Sequence, residues 1–496
     1  MMKHGLSRRE FIGAVAAVGL GASNDGWVDL FNGRNLEGWK SGGSRDSWMV
    51  DGGLLSGGGA ASHLFYNGPV RGARFRNFEL EIDAMARPLC NAGIYFHTAY
   101  QEGAFPKKGL KVHISSTSAR RDERHGWYKT GSLCGLRGIY KQFVPDNQWY
   151  KLRLSVRGKN IQVRLNDLLL VDYTEPTPPV LPRGADGRLH LDGGTFALES
   201  DGEESVVPFR KVRVRPLPDD VVTPAAPPVV DDAFKRIIHM TAQGYPMVDY
   251  HVHVVKENIE QVMAQTLRDG IEYGVATNGG LNFPIMNDDT ALAFVESMKA
   301  RPVFIAMQAE GREWTHMFTR RSTSAFDYVF TDSMTWTDDS GKRMLTYIPR
   351  DVGSITDPQA FMEMLIARIL GILNQEPIDI YVNPTYVPEV IGKEYDRLWT
   401  DERMKKVADA AVHNNVAIEL NDSRSLPSAA FVRVFKKAGC KFTFGTNNVY
   451  VEKLPLRRSD YAMRMIDECG LGPQDFWVPG GFWPRAFERK PDGLHA

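Results

Sequence analysis

Two histidines one residue apart, in Met247-Val-Asp-Tyr-His-Val-His-Val-Val255, are the residues of this chain best spaced for chemistry. The apolar run that carries His251 and His253 reads as a buried strand. In a strand, residues i and i+2 point to one face, so the two imidazoles stand side by side. Such a pair at a strand end suits a shared divalent ion of zinc, manganese or iron. It suits equally a pair of hydrogen-bonded polar residues near the mouth of a barrel.

The elements that must position this pair follow a β-then-α grammar. Strand candidates lie at 248–254, 273–277, 302–308, 327–331, 378–382, 416–420 and 441–445. Helical stripes separate several of them. One is Ile259, Val262, Met263, Thr266 and Leu267. Another is Phe361, Met364, Leu365 and Ile369, after the helix start Thr356-Asp357-Pro358. Strands alternating with helices imply parallel pairing and right-handed crossovers. None of the seven strands reads as a polar edge, so a closed barrel fits better than an open sheet. Active sites of such barrels lie at the C-terminal mouth. The residues there are His251 and His253, then Asn278, Glu310, Asp332, Asn383, Glu419 and Asn447, a polar group from every strand.

The rest of the chain has other rules. A length of 496 residues implies two or three domains. Sixty basic residues balance sixty acidic ones, which excludes a large field for nucleic acid or an anionic membrane. Ser7-Arg8-Arg9-Glu10-Phe11-Ile12, followed by an apolar run to Leu20, has the layout of a Tat signal over residues 1–25. That run is too short to span a bilayer in the mature protein. A periplasmic or secreted location is expected. Residues 26–217 read as β. Phe78 to Ala84 alternates apolar and charged residues, as do Leu152, Leu154 and Val156, and Gly158-Lys-Asn160 marks a hairpin turn. Two packed antiparallel sheets follow. A Pro-rich linker at 218–233 separates them from the α/β region 234–496.

The region from about 246 to 450 resembles the PHP family, metal-dependent hydrolases on a seven-stranded barrel. Asp249, His251 and His253 match its opening Asp-x-His-x-His, Ala309-Glu310-Gly311 its Gly-x-Glu element, and Glu419-Leu420-Asn421 its Glu-x-Asn element. The chain departs from the family at Thr277-Asn278-Gly279, Asn383-Pro384 and Thr446-Asn447-Asn448, where the family places acids and histidines. The resemblance implies one divalent ion, held by His251, His253, Glu310 and Glu419, in place of the full metal cluster.

Residues 26–217 resemble the 3-keto-disaccharide hydrolase domain, a concanavalin-like sandwich of jelly-roll type. The resemblance rests on Leu30-Phe-Asn-Gly-Arg-Asn-Leu-Glu-Gly-Trp39, Trp48-Met-Val-Asp-Gly-Gly53, Asn91-Ala-Gly-Ile-Tyr-Phe96, Thr130-Gly131, Trp149 and Phe209-Arg-Lys-Val212. It implies chemistry on a 3-keto-glycoside. A ketone at C3 acidifies the C2 proton, and its removal gives an enolate that expels the C1 substituent. Such a site needs a base, a cation at the enolate oxygen and a proton donor. Lys111 and His113 share a strand face, and His97 ends another strand; these three are the expected catalytic groups. Trp127, Tyr128 and Asn91 are the expected sugar-binding residues. Two further readings stay open: a metal hydrolase in the barrel with the sandwich as a carbohydrate-binding module, and a non-catalytic binding protein. The sequence leaves the oligomeric state open.

Overall fold

The computed structural model describes residues 25–103, 105–115, 117, 127–181, 191–254, 259–338, 340–448, 458–480 and 485. The twin-arginine segment lies outside the described residues.

The N-terminal region is a sandwich of two antiparallel sheets. One runs in the order 168–174, 160–165, 150–157, 78–84, 207–216, 54–57, 48–51, with 28–29 paired to 207–216. The other runs 39–41, 62–66, 195–200, 91–98, 110–115. Alternation along Phe78–Ala84 explains the packing. Phe78, Leu80, Ile82 and Ala84 are buried in the sandwich core with Ile94, Phe96, Val112, Phe196 and Leu198 of the facing sheet. Glu81 points the other way and pairs with Arg153 Nε at 2.8 Å and Arg213 at 2.6 Å. Both faces of the sheet are thereby satisfied.

The last sandwich strand ends at Pro216, and the next regular element is the helix Asp232–Gln243. Asp231 caps that helix by accepting from Phe234 N at 2.7 Å.

The C-terminal region is a closed barrel of seven parallel strands. They are β1 (Val248–His253), β2 (Glu272–Gly279), β3 (Phe304–Ala309), β4 (Tyr328–Thr331), β5 (Ile380–Tyr381), β6 (Ala417–Asn421) and β7 (Phe442–Gly445). β1 closes on β7 through Asp249 and Phe444. Helices such as Pro358–Gln375 and Asp401–His413 connect the strands, and Asp357 caps the first of these as its Thr-Asp-Pro start implies.

A segment of the sandwich, from Trp127 to Lys141, docks on the barrel. Tyr128 Oη donates to Thr241 O at 2.8 Å and Tyr140 Oη to Tyr245 O at 2.9 Å. The backbone N–H groups of Tyr140 and Lys141 donate to Glu272 Oε2 at 2.7 and 3.2 Å. Lys141 Nζ reaches Asp327 Oδ2 at 2.6 Å and Val303 O at 2.9 Å. Among the described residues, no helix is long and apolar enough to cross a membrane.

Candidate functional site

The outer face of the five-stranded sheet gathers the first set of groups. Glu199 lies opposite His63 on one side and Gly93 on the other, and Gly93 lies opposite His113. His63, Glu199, Gly93 and His113 therefore form one row across four strands. Tyr95 and Lys111 oppose each other in the next row. Gly93 has no side chain, and Lys111 lies across the space this leaves. A Cβ at position 93 would collide with Lys111 Cε and stand 2.9 Å from Glu199 Oε2. The ammonium of Lys111 thus reaches Glu199 and forms an ion pair with Oε2. His63 Nε2 faces the other carboxylate oxygen at 3.5 Å.

The electrostatics of this row favour charge separation held in place. Burial works against an ionised Glu199, but Lys111 and then His63 outweigh it and pull the carboxyl down to about 2. Burial works equally against a charged Lys111, and Glu199 outweighs it, holding the ammonium above its usual range. Glu199 has 1% side-chain exposure and Lys111 15%, so the cation is the member of the pair that reaches the open side. His113 lies nearby, 6% exposed, with its ring edge-on to Tyr128 at 6.2 Å. Residues 130–134 continue the sheet beyond it. Gly131 N donates to His113 O, His113 N to Ser132 O and Cys134 N to Lys111 O, all at 2.8–3.0 Å.

Of the residues expected from sequence, Lys111, His113 and Asn91 share this face. Asn91 Nδ2 donates to Asp201 Oδ2 at 2.7 Å. His97 does not join them. The pairing register slips between Thr195 and Ala197, so the strand carrying His97 bulges there, and His97 takes a left-handed φ of 54°. The extra residue breaks the two-residue alternation that would have aligned His97 with Tyr95. Its Nε2 meets Arg76 O at 3.0 Å and its Nδ1 accepts from Asp192 N at 3.2 Å. Burial, the largest influence, brings it down to about 4. It lines a separate groove with Arg71, Arg74, Lys159 and Asp219.

The expected stacking platform is also corrected. Tyr128 is 1% exposed within the barrel's hydrophobic core, so its ring offers no free face to a sugar, and the half-buried Trp127 packs against the same core. Two aromatic rings stand beside the site: Tyr95, 5.8 Å from Lys111 Nζ and edge-on to His63 at 5.3 Å, and Phe105, edge-on to His63 at 5.5 Å and 51% exposed. Glu199, His63 and Tyr95 are the groups that sequence reasoning missed. Alternation in Thr195-Phe-Ala-Leu-Glu-Ser200 hints that Glu199 faces away from the core, but not which strands lie beside it.

The barrel mouth gathers a second set. A cavity of about 420 Å³ is lined by His253, Asn278, Glu310, Asp332, Asn383 and Asn447, one from the end of each strand except β6. Beneath it, His251 Nδ1 meets Glu419 Oε1 at 2.5 Å and its Nε2 meets Gln308 Oε1 at 3.2 Å. Burial opposes a charged His251, but Glu419 outweighs it and holds the imidazole above its usual range. Burial, and then the charge of His251, take His253 down to about 3. Burial and then Asp332 push Glu310 up to about 7.

The four expected metal ligands do not assemble as a metal centre. Among the described residues, no three His, Cys, Asp or Glu side chains come together in a way that would hold an ion. The hydrogen bonds give the reason. Glu419 Oε2 already accepts from Asn383 N at 2.7 Å and Asn421 Nδ2 at 2.8 Å. Glu310 Oε1 accepts from Asn278 Nδ2 at 2.8 Å and Gln308 Nε2 at 3.0 Å. Asp332 Oδ2 accepts from Asn383 Nδ2 at 2.8 Å. Amide N–H groups hold one oxygen of each of these carboxylates, and His251 holds the other oxygen of Glu419. The donor set present does not fit the ion.

The sandwich matches a known class. Residues 26–215 match the family model of the 3-keto-alpha-glucoside-1,2-lyase-like domain, which points to a carbohydrate-active domain. Among solved structures, the chain is similar to a candidate glycosyl hydrolase from Parabacteroides distasonis, at 21% identity and a TM-score of 0.34, covering 39% of this chain and 95% of that one. It is also similar to the carbohydrate-binding module CBM66 from Bacillus subtilis, at 16% identity and a TM-score of 0.25, covering 36% and 94%. A third is the exoplasmic/lumenal domain of VIP36 in a calcium- and mannose-bound form, at 12% identity and a TM-score of 0.27, covering 38% and 86%. No curated protein matches the chain.

Proposed function

We propose that the protein is an exported enzyme that cleaves 3-keto-glycosides on the outer face of its sandwich, by C2 proton abstraction and elimination at C1. The observation that carries this reading is the row in which Lys111, anchored by Glu199 across Gly93, stands on one face with His113. The match of residues 26–215 to the 3-keto-alpha-glucoside-1,2-lyase-like domain supports a 3-keto-glucoside as the substrate class.

In this reading His113 takes the C2 proton and the C–H electron pair moves into a C2–C3 enolate. The C3 oxygen gains negative charge as it does so, and the Lys111 ammonium is the cation placed to meet it. Reformation of the ketone drives the electron pair into a C1–C2 double bond and breaks the bond from C1 to the leaving oxygen. The imidazolium of His113 holds the proton that this oxygen requires. The unsaturated sugar leaves as a lyase product, or water adds at C1 and a proton at C2, giving net hydrolysis. Glu199 is a positioning residue that holds Lys111 charged and extended, and His63 holds Glu199 from the other side.

Full-length protein assayed on a 3-keto-glucoside tests this. His113→Ala is expected to lower turnover by about a hundredfold or more, the scale of a lost general base. Reaction in deuterated water is expected to place deuterium at C2 of the recovered sugar. Equal turnover of the unoxidised glucoside would overturn the reading.

A further inference from the structure

We propose that the barrel mouth is a metal-free binding site for an uncharged polyhydroxy ligand of sugar size. The inference does not rest on the reading of the sandwich. The cavity of about 420 Å³ falls within the roughly 300–1,000 Å³ of small-molecule sites. Its polar lining alternates acceptors and donors. Glu310 is joined to the amide of Asn278, and Asp332 to the amide of Asn383.

Beyond the bond that joins it, each pair keeps the second N–H of its amide and the second oxygen of its carboxyl, a donor and an acceptor side by side, which is what a hydroxyl requires, since it gives one hydrogen bond and accepts others. Two such pairs on adjoining strands address neighbouring hydroxyls. The charges argue against an ionic ligand. Two carboxyl groups face the cavity and disfavour a phosphate, while Arg424 on the same wall disfavours a cation. The lip is aromatic. Phe283 and Tyr347 line it, and Tyr347 is 43% exposed, a large ring left open to solvent beside polar walls. An amphipathic ring with an apolar face and hydroxyl edges fits that combination: stacking on one side, paired hydrogen bonds on the other.

Binding of glucose and sucrose, both unoxidised, to the full-length protein tests this by saturation-transfer NMR and equilibrium dialysis, with and without EDTA. Glucose 6-phosphate serves as the charged comparison. The expected result is saturable binding of at least one neutral sugar that survives EDTA and that Tyr347→Ala weakens by roughly three- to tenfold. Asn447→Ala, at the opposite wall, is expected to weaken it by a similar factor. The double variant Lys111→Met with Glu199→Gln on the sandwich, which leaves no unpaired buried charge, is expected to leave it unchanged. Four results would overturn the proposal: no saturable binding of either sugar, loss of binding in EDTA, tighter binding of the phosphate, or loss of binding in that folded double variant alone. Sugar binding without turnover of a 3-keto-glucoside would defeat only the sandwich reading. Turnover without sugar binding at the mouth would defeat only this one.

Discussion

The pair Lys111–Glu199 shows how a single absent side chain organises a site. Glycine at position 93 lets the lysine cross from the neighbouring strand to a buried carboxylate two strands away. Buried charges of this kind are costly to leave alone, so breaking the pair from one side is expected to cost about 3–5 kcal/mol. Lys111→Met should therefore lower stability by that amount in urea denaturation. The double variant Lys111→Met with Glu199→Gln should recover most of the loss, because no unpaired charge remains, yet stay inactive on a 3-keto-glucoside. A double variant as unstable as the single one would show that the pair does not act as a unit. Lys111 and His113 were legible because a strand fixes which residues share a face. Glu199 and His63 were not, because Glu199 lies 86 residues beyond His113 and His63 48 residues before Lys111, and strands so far apart in sequence leave no local trace of their register.

At the scale of elements, the barrel was the most legible part. Seven apolar runs bounded by turn signals became seven parallel strands, each beginning and ending close to where its pattern does. The convergence of strand-end groups was also legible, since it follows from topology: His253, Asn278, Glu310, Asp332, Asn383 and Asn447 do line one mouth. What the sequence hid was the partner of each group. Spacing left His251 open to an ion or to hydrogen-bonded neighbours, and both its ring nitrogens are engaged by Glu419 and Gln308. A bulge likewise moved His97 out of the expected row.

The first residues of β2 carry a testable consequence. Glu272 stands under the docked segment, and burial, its largest influence, raises its carboxyl to about 8, against about 4.5 in an unfolded chain. The folded state holds that proton more tightly. Its contribution to stability is therefore complete below about pH 4.5 and is lost as pH rises through about 8. The melting temperature is expected to fall between pH 5.5 and 8.5, and Glu272→Gln, which keeps the acceptor and removes the charge, should make that fall shallower. Asp249 and Glu310, each raised to about 7 mainly by burial, act in the same direction and keep part of the slope. Calorimetry across this range measures the effect, and an unchanged slope in the Gln variant would exclude Glu272 as a source.

At the scale of the whole molecule, the two domains share more than a linker. The helix Asp232–Gln243 contributes Phe234 and Ile238 to the sandwich core, and the sandwich contributes Tyr128 and Tyr140 to the barrel core. Such mutual packing makes the two domains one unit, which the proposed Tat export would carry folded. Replacing Arg8 and Arg9 with lysine is expected to leave the protein in the cytoplasm, measured by fractionation, while preserving its fold and activity there. Unchanged export would exclude the Tat route.

The bond from Tyr128 to Thr241 also sets an order in time. A ribosome delivers the sandwich first, and the strand bearing Lys111 and His113 emerges long before residue 241 exists. Until then Tyr128, the ring beside His113, has no barrel to dock on, and the wall it forms is unfinished. Synthesis from one end thus gives the nascent N-terminal domain a built-in delay: the wall beside His113 is completed only by chain made after it.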